Sequence, residues 1–194
     1  MASILKQLTI REFLGKKNPT DFTLSNTPVT IYTSNEINNL LGGASPEPEG
    51  VRFHFKTNTG NPTTALIAIG LGVVAVGAEF RNRELGSSYL RRESNLDPVV
   101  LTALPQDMKD KTSGQNACVF FSRADLLEIL GQAGISGIAF YTTTVVRALF
   151  DGATSTSDNY TTLVAVGVDG NNAPQGIRIR SEMPCPPNCG DDYP

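Results

Sequence analysis

Two stretches of this chain align with each other without a gap: Ile31-Tyr32-Thr33-Ser34-Asn35-Glu36-Ile37-Asn38-Asn39-Leu40-Leu41-Gly42 and Phe120-Phe121-Ser122-Arg123-Ala124-Asp125-Leu126-Leu127-Glu128-Ile129-Leu130-Gly131. Such self-similarity restricts a fold more than composition does, because each copy must solve the same burial problem. Both begin as a short apolar strand that meets a hydroxyl residue, Thr33 or Ser122, with an acid three positions on, Glu36 or Asp125. That is the capping-box pattern: the hydroxyl accepts a free N–H of the first helical turn and the acid sits at the positive helix end. Ile37, Leu40 and Leu41 match Leu126, Ile129 and Leu130, spaced as one helical face. Gly42 and Gly131 then predict helix stops with a left-handed residue.

The correspondence continues. Gly50-Val51-Arg52-Phe53-His54-Phe55 answers Gly137-Ile138-Ala139-Phe140-Tyr141, and Leu66-Ile67-Ala68-Ile69-Gly70 answers Leu163-Val164-Ala165-Val166-Gly167. Both pairs read as strands. The unit is therefore strand, helix, strand, strand, occurring twice. We expect an α+β fold built by tandem pseudo-twofold duplication of this unit, with a largely antiparallel sheet and covering helices. The boundaries read as an amphipathic N-terminal helix at 1–17, a first unit at 18–79, a linker at 80–117 carrying the apolar patch Val99-Val100-Leu101, a second unit at 118–180 and a Pro/Cys tail at 181–194.

Composition narrows the class. Apolar residues at 40% exclude a disordered chain, and a net charge of −3 with charged residues at 18% argues against a nucleic-acid partner. The longest apolar run, Ala65 to Ala78, is too short for a bilayer span, which needs about 20 residues, and Gly70, Gly72 and Gly77 interrupt it. The first residues lack an uninterrupted apolar stretch, because Lys6, Arg11 and Glu12 intrude, so a cytoplasmic protein is expected.

Catalytic patterns are thin. The single histidine, His54, lies on an expected strand between Phe53 and Phe55, and alternation places it opposite both, on the solvent face. Cys185-Pro186-Pro187-Asn188-Cys189 offers one close pair of metal ligands, but Cys118 and His54 would have to complete the set from afar. A local disulfide, or two thiols against the body of the protein, are the other readings of that pair. Gly70-Leu71-Gly72-Val73-Val74-Ala75 fits a dinucleotide fingerprint, yet the β-branched run after it favours a strand over the required helix. We expect no enzyme, no cofactor and no metal.

Assembly and binding remain. Residues 1–17 carry Lys6, Arg11, Lys16 and Lys17 against Glu12, while residues 181–194 carry Glu182, Asp191 and Asp192. A basic head and an acidic tail suit a heterologous contact between copies. Arg81, Arg83, Arg91 and Arg92 offer forks for carboxylates, and Cys185 and Cys189 lie in the tail expected to dock. The expected function is a non-enzymatic structural or scaffold protein whose partner is itself, forming homo-oligomers or filaments through its termini and sheet edges. The alternative is a monomeric binding module with a ligand or peptide cleft between the two repeats. The core Ser122–Gly131 with Gly137–Tyr141 and Leu163–Gly170, together with Cys185–Gly190, resembles a group of small bacterial proteins of the Bacteroidota; the resemblance implies a bacterial cytoplasmic origin and carries no activity.

Overall fold

Thr33 and Ser122 do start helices. In the computed structural model, which describes residues 14–24, 27–43, 46–56, 65–76, 79–86, 88–94, 96–108, 116–151, 154–182 and 184–185, the Glu36 amide donates to Thr33 Oγ1 at 3.3 Å, and Glu36 Oε2 accepts the Thr33 amide at 2.7 Å. That completes the capping box of α1 (Ser34–Gly42). At α2 (Arg123–Leu130) the Asp125 amide donates to Ser122 Oγ at 3.0 Å, but the Asp125 carboxylate accepts from the Gly15 amide at 2.9 Å. Neither helix ends on a left-handed residue: Gly43 and Gly131 have φ of −80° and −75°. The chain turns instead at Gly134, three residues beyond Gly131, where φ is +80°. Of the N-terminal helix expected at 1–17, residues 1–13 lie outside the described residues, and the remainder is not helical: Lys16 and Lys17 form a strand against Ile179 and Arg180.

The strands form two sheets with only antiparallel pairings among the described residues. The first contains β1 (Lys16–Lys17), β2 (Thr30–Thr33), β9 (Gly137–Asp151), β10 (Thr154–Val168) and β11 (Pro174–Arg180), in the order β1-β11-β10-β9-β2. The second runs β12-β8-β3-β4-β6-β7, where β3 is Gly50–Lys56, β4 Ala65–Val76, β6 Tyr89–Glu93, β7 Val99–Leu101, β8 Asn116–Ser122 and β12 Pro184–Cys185. A further strand, β5 (Glu79–Glu84), pairs with the far end of β4. Beyond the sheet, β9 and β10 continue as a ribbon, in register from Thr142 opposite Leu163 to Asp151 opposite Thr154.

The two sequence units do not lie side by side. β2 pairs with β9, and β8 pairs with β3, so the first strand of each unit joins the hairpin of the other. Each helix is the crossover from one sheet to the other. The hydrogen bonds that seat these crossovers come in matched pairs. The Ser34 amide donates to Ser136 O at 2.9 Å and the Arg123 amide to Glu49 O at 2.7 Å; the Ser136 amide donates to Val168 O and the Glu49 amide to Leu71 O, both at 2.8 Å.

The helices lie between the sheets and do not cover their outer faces. Ile37 and Leu41 of α1 and Leu126 and Ile129 of α2 share one core with Val51, Phe53 and Phe55 of β3, Ile138 and Phe140 of β9, and Leu163 and Ala165 of β10. A helix that must span from one sheet to the other has no outer face left to cover. At the centre the rings of Tyr32, Phe53, Phe121 and Phe140 touch edge to face or tilted, with centroids 4.4–5.9 Å apart. The 80–117 stretch, read as a linker, carries most of β5 and all of β6 and β7, and its Leu104 and Met108 close over Ile67 on the outer face of the second sheet.

Candidate assembly interface

A sheet edge exposes unpaired N–H and C=O groups, and folded proteins guard such edges. β1 ends the first sheet with two exposed lysines, Lys16 and Lys17. At the opposite end β2 is covered: Arg92 Nε donates to Ile31 O at 2.9 Å and Ser94 Oγ to Val29 O at 2.6 Å. At the β12 end of the second sheet, residues 186–194 lie outside the described residues. β7, at the other end, has no such guard among the described residues. Val99 and Val100 are 50% and 67% exposed, and Leu96 just before them is 59% exposed. Val100 is the register partner of Leu90, which lies against the core; one strand further out, Val100 has no such cover.

Of the other expected interface residues, the structure brings Lys16 and Lys17 beside Arg180, which holds Glu182, at one edge of the first sheet, and places Arg81, Arg83, Arg91, Arg92 and Cys185 on the second sheet. Lys17 Nζ lies 2.6 Å from Glu128 Oε2, and Lys16 Nζ 3.9 Å from Asp21 Oδ1. Glu182 accepts from Arg180 Nε at 2.8 Å, and Arg180 is the register partner of Lys16 in β1. Arg180 also holds Asp21 at 2.6 Å, and that hydrogen bond lowers the Asp21 carboxyl below its ordinary value. Arg91 pairs with Glu93, while Arg92 faces β2. Arg83 is exposed on β5, where Arg81 also lies. Cys185 sits in β12 opposite Cys118 of β8. Lys6, Arg11, Cys189, Asp191 and Asp192 lie outside the described residues.

His54 is opposite Phe53 and Phe55, as alternation requires, but it is fully buried and not on a solvent face. The cause is the 80–117 stretch. Glu84 at the end of β5 reaches His54 Nε2 at 2.8 Å and Arg52 at 3.0 Å, and Tyr89 of β6 donates its hydroxyl to Glu84 Oε2 at 2.5 Å. Burial alone would raise the Glu84 carboxyl; the hydrogen bonds from His54 and Tyr89 and the Arg52 charge outweigh it and leave it below its ordinary value. The alternation of Arg52 and His54 with phenylalanines signalled a second, polar face. Nothing in the local pattern named Glu84 and Tyr89 as its partners. Gly70–Ala75 lies within β4, so the glycine pattern there is strand.

A polar cleft of about 330 Å³ opens where β2 approaches β6, lined by Thr30, Arg92, Glu93, Leu96, Asp97 and Asn172, among others. Thr30 is 2% exposed, and its Oγ1 has no hydrogen-bond partner among the described residues.

Among the described residues no helix is long and apolar enough to cross a membrane, and no group of three or more His, Cys, Asp or Glu is placed to hold a metal ion. Compared with protein-family models, curated proteins and solved structures, the chain matches none.

Proposed function

We propose that this is a cytoplasmic, non-enzymatic protein that associates with itself, and that the open β7 edge of the second sheet is where copies meet. The observation that carries this reading is the exposure of Val99 and Val100 on an edge strand, when the first sheet has lysines at one edge and Arg92 and Ser94 over the other. Two copies of β7 can pair antiparallel about Val100, so that Val99 meets Leu101 of the partner copy. In that register Asp97 falls opposite Ala103, so no like charges are opposed. Such a contact is isologous and joins two second sheets into one. The ribbon of β9 and β10 favours further contacts, because an isolated two-stranded ribbon is only marginally stable in water. The basic segment 1–17 and the acidic segment 181–194 would add a head-to-tail contact that extends dimers into larger particles. We also infer that the two units arose by duplication; the matched caps, crossovers and amide bonds support this.

Light scattering on a sizing column tests the interface. The wild type is expected above 20.8 kDa with a mass that rises with concentration, and Val100→Lys is expected as a monomer with an unchanged circular dichroism spectrum. A wild type that stays monomeric at every concentration overturns the reading.

The cleft between β2 and β6 supports a second reading, a module that binds a small hydroxylated ligand. A buried Thr30 hydroxyl with no hydrogen-bond partner among the described residues favours it. A ligand that raises the melting temperature of the wild type but not of Thr30→Val would favour this reading over self-association.

A further inference from the structure

The ladder between β8 and β12 places Cys185 directly opposite Cys118, although the two are far apart in sequence. Directly opposed residues of an antiparallel ladder have Cα atoms about 4.5 or 5.5 Å apart, depending on the hydrogen-bonding pattern. Both values fall within the roughly 4.4–6.8 Å that a disulfide spans without backbone movement. The competing local pair, Cys185 with Cys189, must close across Pro186 and Pro187, whose fixed φ stiffens the short loop. On the other side of Cys118 the ladder places His54, whose Nε2 is engaged by Glu84 at 2.8 Å and is not available to a metal. Among the described residues, two, Pro184 and Cys185, pair β12 with β8.

We propose that Cys118 and Cys185 form a cross-strand redox pair, whose oxidation fastens the C-terminal tail to the edge of the second sheet. The oxidant is a small-molecule disulfide, RSSR. One cysteine thiolate attacks a sulfur of RSSR, forming a mixed disulfide and releasing RS⁻. The other cysteine thiolate attacks the protein sulfur of that mixed disulfide and releases the second RS⁻. The two cysteines are oxidised, RSSR is reduced to two RSH, and the protons given up by the cysteines end on the released thiols. In a reducing compartment the thiol form prevails, and the pair closes when the poise shifts. The bridge would replace a two-residue hydrogen-bonded contact by a covalent one closing a long loop.

The test uses the full chain, purified with chelator, incubated folded with oxidised glutathione, alkylated and digested. Wild type and Cys189→Ser are expected to lose the mass of two hydrogens and to yield one cross-linked peptide pair containing Cys118 and Cys185. Cys185→Ser is expected to yield no bridge to Cys118. A bridge between Cys185 and Cys189, glutathione adducts on Cys118 and Cys185 with no bridge, or thiols that stay reduced under conditions that oxidise the denatured chain would each overturn the proposal.

Discussion

The hydroxyl of Tyr32, on the last strand of the first sheet, donates across the core to the carbonyl of Leu66 in the second sheet at 3.0 Å, and at the same distance to Leu90 O. Tyr32 is fully buried, and that burial pushes its phenol well above its ordinary value, so the group stays a donor throughout the accessible pH range. The bond ties the two sheets at the point where the four-ring cluster sits. Tyr32→Phe keeps the ring and removes the donor. We expect it to cost about 1–3 kcal/mol, which for a chain of this size lowers the melting temperature by about 2–4 °C per kcal/mol. An unchanged melting temperature would mean that the cross-sheet bond adds nothing to stability.

Glu84 holds Arg52, His54 and Tyr89 together in a place that is nearly closed to water, with Tyr89 packed against Leu104, Met108 and Ile67. Removing one partner of a buried ion pair leaves a charge without compensation, and Glu84→Ala should cost about 3–5 kcal/mol in a chemical denaturation curve. The pH dependence has a definite sign. The folded carboxyl lies below its ordinary value of 4.5, so its contribution is fully present above that value and is lost as pH falls below it towards the folded value. Glu84→Gln should flatten the stability profile in that acidic window. A variant whose acid profile is as steep as the wild type's would exclude Glu84 as its source.

Asp125 joins the N-terminal segment to α2. Its Oδ2 accepts the Gly15 amide at 2.9 Å and the Ser122 hydroxyl at 2.8 Å, and the residue is 1% exposed. Asp125→Ala should destabilise by about 1–3 kcal/mol through the orphaned donors. Hydrogen exchange at Gly15 to Lys17 should quicken more than at β3 or β8; uniform acceleration would instead mean a global effect only.

Three glycines separate packing from helix propensity. A methyl group at Gly50 would collide with the carbonyl of Phe121, and one at Gly137 would lie 2.6 Å from the carbonyl of Tyr32. Phe121 and Tyr32 are themselves matched residues of the two units, so each glycine admits the first strand of the other unit. Gly50→Ala and Gly137→Ala should each cost about 1–3 kcal/mol. A methyl at Gly42 meets nothing within 4 Å, and Gly42→Ala should be neutral or stabilising by up to about 1 kcal/mol. Equal thermal shifts for all three would rule out the close approach.

What the sequence determined by itself is local. The caps at Thr33 and Ser122, the helical faces of Ile37 with Leu41 and of Leu126 with Ile129, and the strand character of β3, β4, β9 and β10 each follow from interactions within a few residues. Alternation also assigned His54 to the face opposite Phe53 and Phe55 correctly. Whether that face meets water depended on Glu84, Tyr89, Leu104 and Met108, which arrive from the stretch between the units. That stretch looked like a linker because its charged residues mask a strand pattern; Glu84 is carried inward by partners that no local period encodes. The exchange of first strands was equally hidden, since pairing β2 with β9 or with its own hairpin satisfies the same alternation. Tertiary structure decided between them: helices that cross from sheet to sheet bury Ile37, Leu41, Leu126 and Ile129 in one core shared with both sheets, which removes more apolar surface from water than any one unit could by itself.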